Sequence, residues 1–206
     1  MAWRKRSSRL NEMAEGLVKV GALQFGTFSL PDGKDSSYYV NIRGLPSYPG
    51  VYRLAVDSMS DLIAKKAPKV DAICAVPVAG LLLGSPVAVE LKKPLVYTRL
   101  EKQDNERLVE GEVRPGWNVV VVGDLSTSGR TLLTAAHAIE DEGGHVSAAV
   151  VLIDRLEGAR EKLSKEGIAL HAVTDMVELA DTLFSMELIT KDNLKAITRS
   201  VGRRAG

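Results

Sequence analysis

The stretch VVVVGDLSTSGRTLL, residues 119–133, constrains the fold more than any other part of the chain. Four successive valines suit a strand that is buried on both faces, as in a parallel sheet covered by helices. A small, hydroxyl-rich turn follows directly and leads into apolar residues at helical spacing. This order predicts a βα unit of an α/β domain, with the turn at the carboxyl end of the strand.

Comparable units recur along the chain. Short β-branched runs are predicted as strands, with the last one weaker: 71–76, 95–100, 118–124, 146–154 and 170–175. Between most of them the apolar spacing predicts helices: Gly80 to Leu91, Arg130 to Glu142 and Leu156 to Glu166. The alternation predicts an α/β fold with a central, mostly parallel sheet flanked by helices. The connection 101–117 is long and charged, which is typical of a functional or mobile loop.

A different pattern occupies the beginning of the chain. Apolar spacing predicts a helix from Ser8 to Val20, which Gly21 is well placed to end. Two β-rich runs, 25–30 and 37–42, then flank the turn PDGK and predict a hairpin or strand pair in a small N-terminal hood.

We divide the chain into three parts: an N-terminal helix and hood segment (1–45), a core (46–190), and a C-terminal helix and tail (191–206). The first ten residues are basic without a following apolar core, so we expect a solvated N-terminus and no secretory signal. The closing SVGRRAG is expected to be a loose tail.

Composition excludes several function classes. Lysine and arginine total 27 against 26 acidic residues, so the net charge of +1 gives no overall attraction to nucleic acid or acidic membranes. No stretch approaches eighteen consecutive apolar residues, and we therefore expect no membrane span. Cys74 is the single cysteine, which excludes an internal disulfide and a cysteine-based zinc site and fits a reducing cytoplasm. Its apolar neighbours predict a buried core residue.

The turn after the valine strand is the first candidate binding site. Hydroxyls and backbone N–H groups at the start of a helix form a pocket that suits a phosphate monoester. The residues concerned are Ser126, Thr127, Ser128, Gly129, Arg130 and Thr131. Asp124, just before them, is suited to accept hydrogen bonds from two ribose hydroxyls or to help hold magnesium. The alternative is an ordinary βα loop in which Asp124 caps the helix.

Two further loops follow predicted strands. Backbone amides near Val78, Ala79 and Gly80 are suited to a second anion such as pyrophosphate, although simple packing explains the small residues equally well. Arg155, after the strand that ends in Asp154, is suited to a bidentate contact with a carboxylate. The alternative there is an exposed arginine paired with Glu157.

Together these motifs resemble the type I phosphoribosyltransferases, and FGTFSLPDGKDSSYYVNIR and VLIDRLEGARE are similar to segments of their orotate-specific members. The resemblance runs from about residue 10 to about 185. It implies a type I phosphoribosyltransferase fold with a hood. It also implies transfer of ribose 5-phosphate from 5-phosphoribosyl 1-pyrophosphate (PRPP) to orotate with Mg²⁺, yielding orotidine monophosphate and pyrophosphate in pyrimidine nucleotide biosynthesis.

The resemblance assigns a role to each candidate. Thr127 to Thr131 would bind the 5-phosphate, Asp124 the ribose hydroxyls, Val78 to Gly80 the pyrophosphate, and Arg155 the orotate carboxylate. No side chain would bind the metal directly, and Asp124 would reach it through water. A cytoplasmic homodimer is implied, with no membrane or nucleic-acid partner.

The sequence departs from the family pattern at charged positions. The family's long loop reads arginine-lysine, a second lysine three positions on and a histidine two beyond, whereas this chain keeps Arg99 and has Leu100, Gln103 and Asn105 at the other three. Lys102 and Arg107 are candidate substitutes for the missing cations. Gly123 replaces the first of two acids in the PRPP motif.

Three hypotheses therefore stand. The first is an orotate phosphoribosyltransferase with Asp124, Arg99 and Lys102 as catalytic residues and Arg107 as a further cation. The second is a catalytically impaired protein of the same fold that binds PRPP or a nucleotide as a sensor or regulator. The third is transfer to a base other than orotate, which Arg155 disfavours because it suits a carboxylated base.

Overall fold

The structure is a computed structural model that describes residues 2–29, 35–99 and 107–204. The chain divides into two compact units, one of residues 1–55 with 174–206 and the other of residues 56–173. These bounds differ from the predicted division at 45 and 190, because the segment from 174 onward groups with the beginning of the chain.

Seven helices and eight strands lie within the described residues, with a short 3₁₀ turn at Leu45–Ser47. In chain order they are α1 (Ala2–Lys19), β1 (Leu23–Ser29), β2 (Asp35–Val40), α2 (Pro49–Lys66), β3 (Ala72–Ala75), α3 (Ala79–Leu91), β4 (Leu95–Thr98), β5 (Val109–Glu110), β6 (Asn118–Ser126), α4 (Arg130–Asp141), β7 (His145–Asp154), α5 (Ala159–Ser164), β8 (Ala169–Asp175), α6 (Met176–Ser185) and α7 (Lys191–Arg204).

Six strands form one sheet in the order β5-β4-β3-β6-β7-β8. The pairs β3–β4, β3–β6 and β6–β7 are parallel, and β5 lies antiparallel on β4. The predicted α/β fold with a mostly parallel sheet is confirmed. Strand β6 is central, with β3 on one side and β7 on the other.

The valine run explains the central position of β6. Val119, Val120, Val121 and Val122 are all buried, as expected for a strand covered on both faces. Helix α4, which follows, buries Leu132, Ala135, Ala136 and Ile139, one apolar stripe at helical spacing. Val119 and Val121 belong to the same buried cluster as this stripe, so one face of β6 packs with α4 in the core.

In the other unit, β1 and β2 pair antiparallel, as predicted for the N-terminal segment. The pairing shifts register between Phe25 and Phe28, and residues 30–34 of the turn lie outside the described residues. Helices α1, α6 and α7 accompany this pair in the same unit. Asp175 is the N-cap of α6: its carboxylate accepts hydrogen bonds from the N–H groups of Val177 and Glu178 at 2.9 and 2.8 Å.

Several predicted bounds were wrong. Helix α1 begins at Ala2, because alanine, arginine and lysine are good helix formers even where apolar spacing is missing. Helix α7 also extends through most of the predicted loose tail, to Arg204. The strand β5 within 101–117 was missed, since a two-residue strand gives no periodic signal.

Helix α5 begins at Ala159 rather than Leu156. Leu156 and Gly158 have φ values of +58° and +93°, which do not fit a right-handed helix. The residues between β7 and α5 therefore form a turn.

Two predictions from composition can be compared with the structure. Cys74 is fully buried, and burial raises the pKa of its thiol to about 12, as expected of an unreactive core residue. In the three described ranges, every helix is too short or too polar to cross a bilayer.

Candidate active site at the carboxyl edge of the sheet

The carboxyl ends of β3, β4, β6 and β7 meet at one edge of the sheet, because these strands are mutually parallel. The segments that leave this edge carry all the candidate residues that the structure describes. Open α/β sheets bind their ligands at this edge. We refer to residues 126–131 as the β6–α4 loop and to residues 155–158 as the β7–α5 loop.

The β6–α4 loop presents exposed polar groups at the start of α4. Thr127, Ser128, Arg130 and Thr131 are exposed, and α4 begins at Arg130. Helix α4 has twelve residues, and the N–H groups of its first turn provide the donors that an anion requires. The predicted 5-phosphate residues therefore surround a helix N-terminus.

Ser126 differs from its neighbours in this loop. It is the last residue of β6, it is 1% exposed, and its Oγ donates to Asp154 Oδ1 at 2.7 Å. Its hydroxyl proton is therefore already used in a hydrogen bond within the protein, although Ser126 was predicted to contribute to the anion pocket.

Gly129 is required by its surroundings. Its φ of +74° favours glycine, and a Cβ there would lie 2.7 Å from Leu163 Cδ1 and 3.1 Å from Ala159 Cα. The β6–α4 loop is therefore packed against α5 with no room for a methyl group.

The start of α3 is packed equally closely. A Cβ on Gly80 would lie 2.9 Å from the carbonyl oxygen of Val122 and 3.0 Å from Gly123 Cα. Ala79 and Gly80 are buried, whereas Val78 is 54% exposed. The structure thus brings the predicted pyrophosphate segment directly against the end of β6.

Asp124 and Gly123 lie at this same point of β6. Asp124 is partly buried, two residues before the β6–α4 loop. A Cβ on Gly123 would lie 3.0 Å from Leu132 Cδ2 and 3.4 Å from Val151 Cγ1. An acid at position 123 would therefore require the Leu132 side chain to shift.

Arg155 follows β7 at this edge and is buried. Its N–H donates to the carbonyl of Ser126 at 3.0 Å, which places it beside the β6–α4 loop. Its Nη2 lies 2.9 Å from Glu157 Oε1. The predicted pairing with Glu157 is present, but the arginine is not exposed as that alternative assumed.

The sequence interpretation missed the role of Asp154. This carboxylate is 1% exposed, and it accepts from Ser126 Oγ, from the Leu156 N–H at 3.0 Å and from Arg160 Nη2 at 3.1 Å. An acid that ends an otherwise apolar run, VSAAVVLID, was the available signal, since a buried charge must find partners.

The candidate cations are placed differently. Arg99 follows β4 at the carboxyl edge, and its Nε donates to Glu110 Oε1 on β5 at 2.5 Å. Arg107 Nη1 lies 3.3 Å from Glu142 Oε2, just beyond the far end of α4, roughly 18 Å along the helix from its N-terminus. Lys102, like Leu100, Gln103 and Asn105, lies outside the described residues.

No group of three or more His, Cys, Asp or Glu side chains that could hold a metal ion occurs within the part of the chain that the structure describes. Mg²⁺ commonly binds through one or two carboxylates together with substrate phosphates and water. Asp124 at the edge of the sheet fits that kind of site, in which the substrate supplies most of the oxygen ligands.

Comparison with known proteins identifies similar chains. Residues 47–178 match the family model described as phosphoribosyl transferase domain. The orotate phosphoribosyltransferase of Sulfolobus acidocaldarius is 34% identical over 95% of this chain and 98% of its own length. That of Methanopyrus kandleri is 40% identical over 78% of this chain and 86% of its own.

The chain is also similar to a solved structure of an orotate phosphoribosyltransferase. The crystal structure of orotate phosphoribosyltransferase from Aeropyrum pernix has a TM-score of 0.77 and 32% sequence identity to this chain. The match covers 86% of this chain and 99% of that one.

Proposed function

The chain belongs to the orotate phosphoribosyltransferase family, and we infer that it transfers ribose 5-phosphate from PRPP to orotate, giving orotidine monophosphate and pyrophosphate. The observation that carries this function is the backbone hydrogen bond from Arg155 to Ser126. It joins an arginine suited to a carboxylate to a loop suited to a phosphate, and the product carries both groups.

We propose that the β6–α4 loop binds the 5-phosphate. Thr127, Ser128 and Thr131 supply exposed hydroxyls, and the first-turn N–H groups of α4 supply backbone donors. Ser126 contributes through its bond to Asp154 rather than through a free hydroxyl. Arg130 adds an exposed positive charge.

Asp124 accepts hydrogen bonds from the ribose hydroxyls in this proposal, and the amides of Val78 to Gly80 bind the pyrophosphate. These segments are in direct contact at Gly80 and Gly123, which supports a shared ligand. Arg155 binds the orotate carboxylate, with Glu157 orienting its guanidinium.

Bond cleavage at the anomeric carbon leaves positive charge on the ribose and negative charge on the departing pyrophosphate. Arg99 and Lys102 are the cations that we assign to that negative charge. Arg107 is omitted, because its partner Glu142 lies beyond the opposite end of α4. Asp124 is the residue that would hold Mg²⁺, through water, and the bound ion would supply charge neutralisation at the pyrophosphate.

Two further features belong to the proposal. The family resemblance implies a homodimer, which light scattering of the purified protein would test. A cytoplasmic location agrees with a single, buried, reduced cysteine, and localisation of the tagged protein in cells would test it.

The decisive experiment mixes the purified protein with PRPP, Mg²⁺ and orotate and follows orotate absorbance and pyrophosphate release. We expect turnover that requires Mg²⁺. Uracil, which lacks the carboxylate, is the matched control and should react far more slowly.

The sensor or regulator hypothesis is not favoured by the relatives, and the same experiment tests it. Absence of turnover combined with calorimetric binding of PRPP or orotidine monophosphate would refute the enzyme and support the regulator. Absence of turnover and of binding would refute both.

A further inference from the structure

The carboxylate of Asp154 is a buried charge with partners on three segments. Ser126 Oγ and the Leu156 N–H donate to Oδ1 at 2.7 and 3.0 Å, and Arg160 Nη2 lies 3.1 Å from Oδ2. Both oxygens are thus used, which a carboxylate at 1% exposure requires.

Each partner belongs to a different part of the candidate site. Ser126 ends β6 immediately before Thr127, the first exposed residue of the β6–α4 loop. Leu156 follows Arg155 and has a φ of +58°, a conformation that a residue with a Cβ rarely adopts. The bond from its N–H to Asp154 stabilises this turn immediately beyond the arginine.

Arg160 extends the connection to α5 and β8. While Nη2 pairs with Asp154, Nη1 donates to the carbonyl of Leu170 on β8 at 2.9 Å. The neighbouring Ala159 packs against Gly129 of the β6–α4 loop. The β6–α4 loop is therefore held in three ways: by the backbone hydrogen bond from Arg155 to Ser126, by the Asp154 carboxylate, and by the packing of Gly129 against α5.

We propose that Asp154 is a positioning residue that sets the spacing between the β6–α4 loop and Arg155. This inference rests on the proposed function, in which the β6–α4 loop binds the 5-phosphate and Arg155 binds the orotate carboxylate. Asp154 touches neither reactant and acts through Ser126 and Leu156. Misplacement of a reactant by about 1 Å can cost roughly a hundredfold in rate, so a modest shift of this spacing has a large effect.

Orotidine monophosphate is the probe that reports this spacing, because it carries both the 5-phosphate and the carboxylate. Its dissociation constant is measured by calorimetry for wild type, Asp154→Ala, Arg155→Ala and the double variant. We expect Asp154→Ala to weaken binding about tenfold or more, in line with the cost of misplacement. In the Arg155→Ala background the same change should have less than about a threefold effect, because the residues act as one unit.

A purely structural role predicts a different result. Asp154→Ala would then change the affinity by the same factor in both backgrounds, or leave it unchanged, and either result would overturn the proposal. Asp154→Asn keeps one acceptor oxygen for Ser126 and Leu156, so it should recover most of the lost affinity. Failure of Asn to improve on Ala would also count against positioning.

If Asp154→Ala does not fold, Asp154→Asn and Ser126→Ala provide the test. Each should raise the orotate KM by roughly twofold to fivefold, and wild-type KM values in both would overturn the proposal. Glu161→Gln, on the exposed side of α5, is the control and should match wild type.

The two proposals fail in distinguishable ways. Wild-type turnover together with unchanged orotidine monophosphate affinity in the Asp154 variants would overturn only the positioning role. A wild-type protein that neither turns over nor binds the nucleotide would overturn both.

Discussion

The β6–β7 side of the candidate site and its β4–β5 side are held in different ways. On the first side, Asp154 is 1% exposed and both of its oxygens have protein partners, and Gly129 has no space for a methyl group. On the second, the Arg99 and Glu110 side chains are 35% and 33% exposed.

This difference has an energetic meaning. A buried charge that loses a partner costs several kcal/mol, whereas an exposed ion pair contributes about 0–1 kcal/mol and exchanges partners readily. The fold therefore fixes the groups that we assign to phosphate and orotate. Arg99 is left able to exchange Glu110 for a ligand.

Gly129→Ala should cause the largest loss of stability, because Gly129 lies on the closely packed β6–β7 side of the candidate site. The left-handed φ costs a residue with a Cβ ~1–2 kcal/mol, and the overlap with Leu163 and Ala159 adds ~1–3 kcal/mol. We expect the free energy of unfolding in urea to fall by ~2–5 kcal/mol, with weaker PRPP binding by calorimetry.

Gly167→Ala is the matched control for Gly129→Ala. Gly167 has the same φ of +74° and nothing within 4 Å of an added Cβ. In Gly167→Ala the free energy of unfolding should fall only by the ~1–2 kcal/mol that the left-handed φ costs a residue with a Cβ. The variant should keep wild-type PRPP affinity. Equal losses in the two variants would show that packing against α5 is unimportant.

Arg155→Ala should give the next largest effect. Loss of a charged hydrogen-bonding group costs ~1.5–3 kcal/mol, so orotate binding should weaken by roughly tenfold to a hundredfold while PRPP binding changes little. Calorimetry with each substrate separately measures both. Arg155→Lys keeps the charge without the bidentate geometry, so its orotate affinity should lie between those of wild type and Arg155→Ala. Equal weakening of both substrates would contradict the assignment.

Arg99→Gln tests the less constrained side and should give the smallest change in stability. We expect the free energy of unfolding to change by less than ~1 kcal/mol, because its pair with Glu110 is about one-third exposed. The kcat should fall about tenfold if Arg99 stabilises the departing pyrophosphate.

Two variants serve as comparisons for Arg99→Gln. Glu110→Gln removes the partner alone and should leave kcat within about twofold, since such a pair contributes little. Arg107→Gln should do the same, because Arg107 pairs with Glu142 beyond the far end of α4. If Arg107→Gln lowered kcat and Arg99→Gln did not, the two assignments would have to be exchanged.

Much of the architecture was predictable because it depends on local pattern. The valine run predicted a strand buried on both faces, and its βα turn predicted a helix N-terminus at the carboxyl edge of the sheet. The strand β5 and the first turns of α1 were missed, since neither carries a hydrophobic period.

The candidate site was predictable in part. Thr127 to Thr131, Val78 to Gly80, Asp124 and Arg155 were identified from their positions after strands, and the structure brings these segments together. Their individual roles stay predictions. The commitment of the Ser126 hydroxyl to Asp154 was not foreseeable, because the two residues are 28 positions apart in sequence.

The sequence by itself determined the alternation of strands and helices around a mostly parallel sheet, the candidate loops that follow the strands, and the family, because these follow from periodicity and short motifs. Only the tertiary structure decided which polar groups have protein partners. The buried Asp154 carboxylate accepts a hydrogen bond from Ser126, and Arg107 pairs with Glu142. Such pairings depend on contacts between distant segments, and the burial that makes them strong exists only once the sheet has formed.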